Sequence, residues 1–332
     1  YTIAVNSGTI ALEIALRSIN VSKKIVITPS NTFFATQNAV KNSGGIVKFV
    51  DIEDEYLQIC PIELEKILSN HKKDEISAVI IVHIGGIISP NFAIIRNICK
   101  KYNVRLIEDA AHAHLSHSHG EYAGSIGDIA AFSFFPTKVM TAGEAGMITT
   151  HSKELYDIMC SIKEFGKQIH NGNPSRLVQI REDGGVNGKI SELTGLLGSL
   201  ECERVYNRIK KRNVLIDIYS EKLDKKWFKV VKQSDGLCSY YKCIVILLNS
   251  AREKREELRE FVKKKNINFT GEVYFKGVHE MPAYSNEKYN LPVTEYMCKN
   301  HVCPPLYPEL TIEDIEYICN VMNSFLEKNI KK

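Results

Sequence analysis

The sequence predicts an α/β fold, a sheet of mostly parallel strands with helices on its faces, followed by a smaller α+β part. Three observations carry that expectation. Apolar strands and amphipathic helices alternate over roughly the first 150 residues, the order that builds parallel strands through helical crossovers. Two apolar stretches deliver polar residues at their ends, Ile107-Glu108-Asp109 and Phe132-Ser133-Phe134-Phe135-Pro136-Thr137-Lys138, where α/β folds open their clefts. Beyond about residue 225 the rhythm changes to short strands around one strongly charged helix.

Tyr1 to Val5 reads as a strand, Asn6-Ser7-Gly8-Thr9 as a turn and Ile10 to Ile19 as a helix. A glycine turn before a helix N-terminus lets backbone approach an anion, although Ser-Gly-Thr alone is also an ordinary N-cap. Lys24 to Thr28, Ala35 to Asn42 and Ile46 to Val50 continue the order as strand, helix and strand, with Phe33 and Phe34 just beyond a strand end. Pro61 to Asn70 is an amphipathic helix, Ala78 to His83 an apolar strand and Phe92 to Tyr102 a helix. The next strand, from Val104, carries Glu108 and Asp109 at its end, and a half-buried carboxylate there requires a partner.

His112, His114, His117 and His119 match no usual zinc spacing, so no metal is expected; one histidine serves the cleft and the others are solvated. Phe132 to Lys138 is expected as a strand ending on the lysine, followed by the glycine-containing loop Gly143-Glu144-Ala145-Gly146. Met147 to Thr150 is a short strand, Ser152 caps a helix to Phe165, and residues 166–188, including Asn171-Gly172-Asn173-Pro174, read as a long mobile loop. A long helix runs from a Ser191 cap to about Lys225, with Leu193, Leu196, Leu197 and Leu200 on its apolar side. Phe228 to Val231, Tyr240 to Leu248 and Ile267 to Thr270 read as strands, Ala251 to Lys265 as a helix, and Thr311 caps a final helix to about Phe325. The domain boundary is placed inside the long helix, giving a large domain at 1–206 and a small one at 207–332.

Composition excludes several classes. At 332 residues, 44% hydrophobic and 25% charged with a net charge of +4, the chain reads as globular, with no compositional support for nucleic-acid binding. No apolar run reaches the ~18 residues a bilayer demands, and the chain reads as soluble and cytoplasmic. Nine cysteines are scattered without a C-x-x-C pair, which suits reduced, packed thiols. The chain starts inside a strand without methionine, and an N-terminal segment is expected to precede it.

Brought to one cleft, the turn at Gly8, an aromatic ring at Phe33, a carboxylate at Asp109, a ring at His112 and an amine at Lys138 match the needs of pyridoxal phosphate (PLP): phosphate donors, a ring face, a partner for the pyridine nitrogen and an amine for the aldehyde. At these residues the chain resembles the DegT/StrS sugar aminotransferases, a PLP family of fold type I. The resemblance runs through Asn6-Ser7-Gly8-Thr9, Pro29-Ser30-Asn31-Thr32-Phe33, Val82-His83, Ile107-Glu108-Asp109-Ala110-Ala111-His112-Ala113, Phe132 to Lys138, Gly143-Glu144, Asn187-Gly188-Lys189-Ile190-Ser191-Glu192 and Pro305-Leu306-Tyr307-Pro308-Glu309-Leu310-Thr311.

The resemblance implies a three-layer large domain, PLP as cofactor, and Lys138 as the residue that bonds the cofactor's aldehyde and later shuttles a proton. It implies that Asp109 pairs with the pyridine nitrogen, His112 with the ring oxygen, Phe33 with the ring face, and Gly8, Thr9 and Ser133 with the phosphate. It further implies a homodimer in which Asn187 reaches the phosphate of the neighbouring subunit, and it places His279 in a loop approaching the sugar. The implied activity is amino transfer from glutamate to a nucleotide-linked keto sugar, for amino-sugar or polysaccharide synthesis. Two departures stand out: Ala145 in a run where relatives carry glycine, and Gly188 after the asparagine. A sugar dehydratase of the same fold would carry histidine in place of Lys138, and a catalytically silent regulatory relative would be expected to have lost one of Lys138, Asp109, His112 or Ser133. An amino-acid-specific PLP enzyme of the same fold fits the Phe-Pro-Thr-Lys and Glu-Asp-Ala-Ala-His contexts less well.

Overall fold

The computed structural model describes residues 1–170 and 173–330; Asn171-Gly172, at the centre of the expected mobile loop, lies outside the described residues. In chain order the large sheet and its helices are β1 (Thr2–Val5), α1 (Gly8–Ser18), β2 (Ile25–Pro29), α2 (Ala35–Asn42), β3 (Ile46–Val50), α3 (Pro61–Ser69), β4 (Ile76–Val82), α4 (Phe92–Lys101) and β5 (Arg105–Asp109). A two-stranded ribbon follows, β6 (His117–Ser118) and β7 (Glu121–Tyr122), then β8 (Ile129–Ser133), β9 (Gly146–Thr150) and α5 (Lys153–Lys163).

The seven-stranded sheet has the order β1-β9-β8-β5-β4-β2-β3, and only β9 runs against the others. Strand alternation sends side chains to opposite faces. Ile80 and Ile107 pack with Ile14 and Leu16 of α1, whereas Val79 and Ile81 pack with Leu64 of α3 and Ile95 of α4. Helices therefore cover both faces, and the sheet is the middle of three layers. The strands that run together end along one edge, bringing Val5, Pro29, Val82, Asp109 and Ser133 to the same rim.

Three expectations are corrected here. The strand expected to run to Lys138 stops at Ser133; Pro136 has no N–H for a ladder, and the Lys138 N–H turns back onto the Phe135 carbonyl at 2.9 Å. Residues 166–188 are not a featureless loop, because β10 (Lys167–His170) pairs antiparallel with β11 (Asn173–Gln179). Ile267 to Thr270 is not a strand: the Ile267 N–H is bonded to Val262 and that of Thr270 to Cys303.

Helix α6 (Glu192–Lys222) begins at Ser191, whose Oγ accepts the Thr194 N–H at 3.2 Å. The C-terminal part then holds β12 (Phe228–Val230), β13 (Val245–Leu247), α7 (Arg255–Lys264), α8 (Pro292–Lys299), β14 (His301–Val302) and α9 (Ile312–Ile330). Its small antiparallel sheet has the order β12-β13-β14, so His301–Val302 supplies the strand that Ile267 to Thr270 does not. Thr311 and Asp314 cap α9 reciprocally, each side chain accepting the other's N–H. Asp51, after β3, accepts the N–H groups of Val293 and Thr294 and so caps α8 from the far side of the chain. All nine cysteines are free thiols, and among the described residues no helix is long and apolar enough to cross a membrane.

Candidate active site

A cavity of about 380 Å³ opens at the carboxyl rim of the sheet. It gathers Gly8, Thr9, Phe33, Asp109, His112, Ser133 and Lys138 from four separate segments. Asn187 and His279, the other two residues singled out from the sequence, are not among its lining residues.

The two acids at the end of β5 take opposite sides. Glu108 is fully buried on the far face, where it accepts the N–H groups of Gly124, Ile126 and Gly127 at 2.8 Å and the ring N–H of His83 at 2.9 Å. It holds the turn that feeds β8. Asp109 faces the cavity and accepts the Ala111 N–H at 3.2 Å and the Thr36 hydroxyl at 2.8 Å. Because the Thr36 proton is committed to Asp109, Thr32 must donate across the 2.9 Å contact to Thr36, a relay that fixes the carboxylate from behind. Burial pushes the Asp109 carboxyl up, opposed by these two donors and by Lys138.

Lys138 is half-buried, and burial pushes its amine down to about 8, with Asp109 pulling the other way and Lys242 adding repulsion. Its Nζ lies 4.8 Å from the Tyr241 ring centroid. That ring also stacks on His112, with centroids 4.1 Å apart and planes at 19°. Burial, followed by repulsion from Lys138, holds His112 well below the ordinary histidine range, so the ring is neutral near pH 7, and its Nδ1 has no hydrogen-bond partner. A buried ring nitrogen left in that state at a cavity wall is suited to a ligand atom.

The turn before α1 is shaped by close packing. Ser7 Oγ accepts the Ile10 N–H at 3.2 Å and the Ser7 carbonyl accepts that of Ala11, which leaves the Gly8 and Thr9 N–H groups for whatever enters. A Cβ on Gly8 would lie 2.7 Å from the Ser133 Cβ, so glycine is what lets Ser133 and the helix N-terminus share one small space. An oriented set of N–H groups beside a serine hydroxyl fits a phosphate. Phe33, 47% exposed, packs against Phe34 at the rim with its ring tilted by 35°, and the Tyr274 ring centroid lies 6.3 Å away. Ala145 is buried in this loop, its carbonyl accepting the Phe134 N–H at 2.8 Å.

His279 instead pairs through Nδ1 with Ser30 Oγ at 2.7 Å, and its Nε2 is 3.4 Å from Glu295. Asn187 is exposed, with its carbonyl accepting the Asn6 side-chain amide at 3.0 Å. Among the described residues no cluster of His, Cys, Asp or Glu is arranged to hold a metal: His114 packs against Phe132 and Phe134, and His119 lies near Asp235. Sequence reasoning missed Thr36, Tyr241, Lys242, Glu272 and Tyr274, all of which line the cavity. Thr36 had a signal, one helical turn beyond Thr32 on the same motif; the others come from the C-terminal part and share no local pattern.

Residues 1–323 match the model of the DegT/DnrJ/EryC1/StrS aminotransferase family. The chain is 32% identical over 326 residues to GDP-perosamine synthase of Escherichia coli O157:H7, covering 98% of this chain and 85% of that protein. It is 29% identical over 331 residues to UDP-4-amino-4,6-dideoxy-N-acetyl-beta-L-altrosamine transaminase of Campylobacter jejuni, covering 98% and 85%. Among solved structures, NtdA from Bacillus subtilis with bound cofactor PMP superposes with a TM-score of 0.88 at 25% identity, over 98% of this chain and 73% of that one.

Proposed function

Because the chain belongs to the DegT/DnrJ/EryC1/StrS aminotransferase family, we propose that this PLP-dependent transaminase moves an amino group from glutamate to a keto sugar carried on a nucleotide, in the synthesis of an amino sugar. The convergence of Lys138, Asp109, His112 and the Gly8 turn on one cavity carries the reading. The residues present fit the cofactor: a cradle that a Cβ on Gly8 would fill, a buried carboxylate held from behind, and an unpartnered ring nitrogen on His112.

When bound, the cofactor supplies an aldehyde that carries the amino group and a ring that takes up electrons. In this reading the N–H groups of Gly8 and Thr9 and the Ser133 hydroxyl hold the phosphate, and Phe33 covers a ring face. The Asp109 carboxylate keeps the ring nitrogen cationic. His112, neutral and pinned by Tyr241, directs a ring nitrogen at the cofactor's ring oxygen. Lys138 Nζ would hold the cofactor through its aldehyde carbon, with loss of water, and, once the donor's amine had taken its place, the freed amine would carry a proton from the donor's α-carbon to that cofactor carbon. Glutamate and the sugar would use the one cavity in turn, so initial rates at several fixed glutamate concentrations should give parallel double-reciprocal lines; intersecting lines would overturn the reading.

A homodimer with shared active sites is part of this proposal, with Asn187 serving the neighbour's phosphate. Support comes from the exposed apolar face that follows it: Leu193 is 75% and Leu196 58% exposed on the first turns of α6, with Leu197 and Leu200 alongside. A row of bare leucines on a long helix suits a second copy of the chain. Leu196→Glu with Leu197→Glu should yield monomers in sedimentation velocity, with loss of turnover; an unchanged dimer would place the interface elsewhere.

A further inference from the structure

We propose that Lys242 is an anion-binding residue on the substrate side of the cavity, taking a carboxylate of the amino donor or a phosphate of the sugar nucleotide. The inference rests on the aminotransferase reading and deepens it, since both substrates of that reaction are anions.

Five charged residues line the cavity, Asp109, Glu144, Glu272, Lys138 and Lys242, and two of the three carboxylates are held by donors. Asp109 is held by Thr36 and Ala111. Glu272 is paired with Arg255 at 2.9 Å and with Arg259. In the aminotransferase reading Lys138 is occupied by the cofactor. Lys242 is the remaining cation among the described lining residues, and no arginine is among them. Yet a transaminase must hold a dicarboxylate and then a nucleotide sugar, and such anions are bound by charge-assisted donors.

The Lys242 ammonium is free to do so. Its Nζ donates one hydrogen bond, to the Thr270 carbonyl at 2.7 Å, and lies 5.5 Å from the Tyr241 ring centroid. An ammonium has three donors, so two remain, and no ion pair occupies them among the described residues. Burial, with the nearby Arg212, pushes the amine down, while Cys303 and Glu272 offset part of that fall. A half-buried cation that touches only a carbonyl is costly, and an arriving anion offsets that cost. The position is also held: the neighbouring Tyr241 N–H donates to the Gly85 carbonyl at 2.7 Å, and its hydroxyl meets Thr137 Oγ1 at 3.1 Å. Lys242 is thereby fixed beside the loop that carries Lys138.

The test uses the cofactor-loaded protein with Lys242→Met and Lys242→Arg. One arm measures the glutamate dissociation constant from the change in visible absorbance on titration. The other measures binding of GDP, UDP and dTDP to the pyridoxamine-loaded protein by calorimetry. Loss of a charge-assisted hydrogen bond should weaken the affected ligand roughly 10- to 100-fold in Lys242→Met, with Lys242→Arg staying within a few-fold of the parent. Weakening of glutamate alone identifies the carboxylate as the anion, and weakening of a nucleotide alone identifies the phosphate. Unchanged constants in both arms overturn the proposal, and the glutamate arm decides where none of the nucleotides binds the parent. Retention of the cofactor's visible band shows that each variant is folded. A parent protein that gives no glutamate-dependent change defeats the aminotransferase reading itself, whereas an intact change that Lys242→Met leaves unmoved defeats only this inference.

Discussion

Replacing Lys138 with alanine is expected to abolish the visible band of the cofactor-loaded protein and to lower turnover about 1,000-fold or more, since one residue supplies both the covalent attachment and the proton carrier. The cavity supports that double duty. Burial pushes the amine down to about 8 from the ordinary 10.5, so roughly a tenth is neutral at pH 7 and able to attack an aldehyde. Uptake of the cofactor by the apoprotein should therefore accelerate with pH and level off above about 8. The linkage has a definite sign. Between about 8 and 10.5 the folded chain binds fewer protons at this group than the unfolded chain, so its contribution to apoprotein stability rises with pH. Below that window the group is charged in both states and the full cost of burying it remains. Added methylamine should restore part of the lost proton transfer in Lys138→Ala. Turnover within about tenfold of the parent, with the visible band intact, would remove Lys138 from the reaction altogether.

Asp109→Asn should lower turnover by about 100- to 10,000-fold while leaving the fold intact. The substitution keeps the shape and keeps an oxygen to accept from Thr36 at the position now bonded at 2.8 Å, so what is lost is the negative charge. A ring nitrogen facing a neutral amide is no longer held cationic, and the ring takes up electrons less readily. Asp109 also opposes the fall of the Lys138 amine, so the pH midpoint for cofactor uptake should move lower in the variant. Cofactor affinity, turnover and that midpoint together separate loss of charge from collapse of the site. Turnover within a few-fold of the parent would show that the carboxylate has no part in the chemistry.

The large sheet was legible because its signals are local. Ala35–Asn42 and Ile46–Val50 occur where the spacing of apolar residues puts them, and the Ser152 and Ser191 caps accept N–H groups as their positions imply. Of the seven lining residues at the rim, Gly8, Phe33, Asp109, His112 and Lys138 lie in or beside a recognisable strand end or turn, whereas Thr9 and Ser133 were carried by the family resemblance. Short apolar runs in the C-terminal part carried less information. Ile267 to Thr270 and His301–Val302 are both brief, and which of them joins a sheet depends on partners distant in the chain. Tyr241 and Lys242 illustrate the same limit within the site: nothing near them in sequence distinguishes them, and their place in the cavity wall accompanies the bond from the Tyr241 N–H to the Gly85 carbonyl. Leu193 and Leu196 had the right period for a helix, but period alone does not say whether the apolar face meets its own chain or another.

The wall contributed by Tyr241 to Tyr274 sets an order of events during synthesis. A ribosome adds roughly 5–20 residues per second, so Tyr274 emerges on the order of ten seconds after Lys138. For that interval the sheet edge, its lysine and the Gly8 turn lack the residues that close over them. Closure of the cavity therefore waits until the chain has been made past Tyr274.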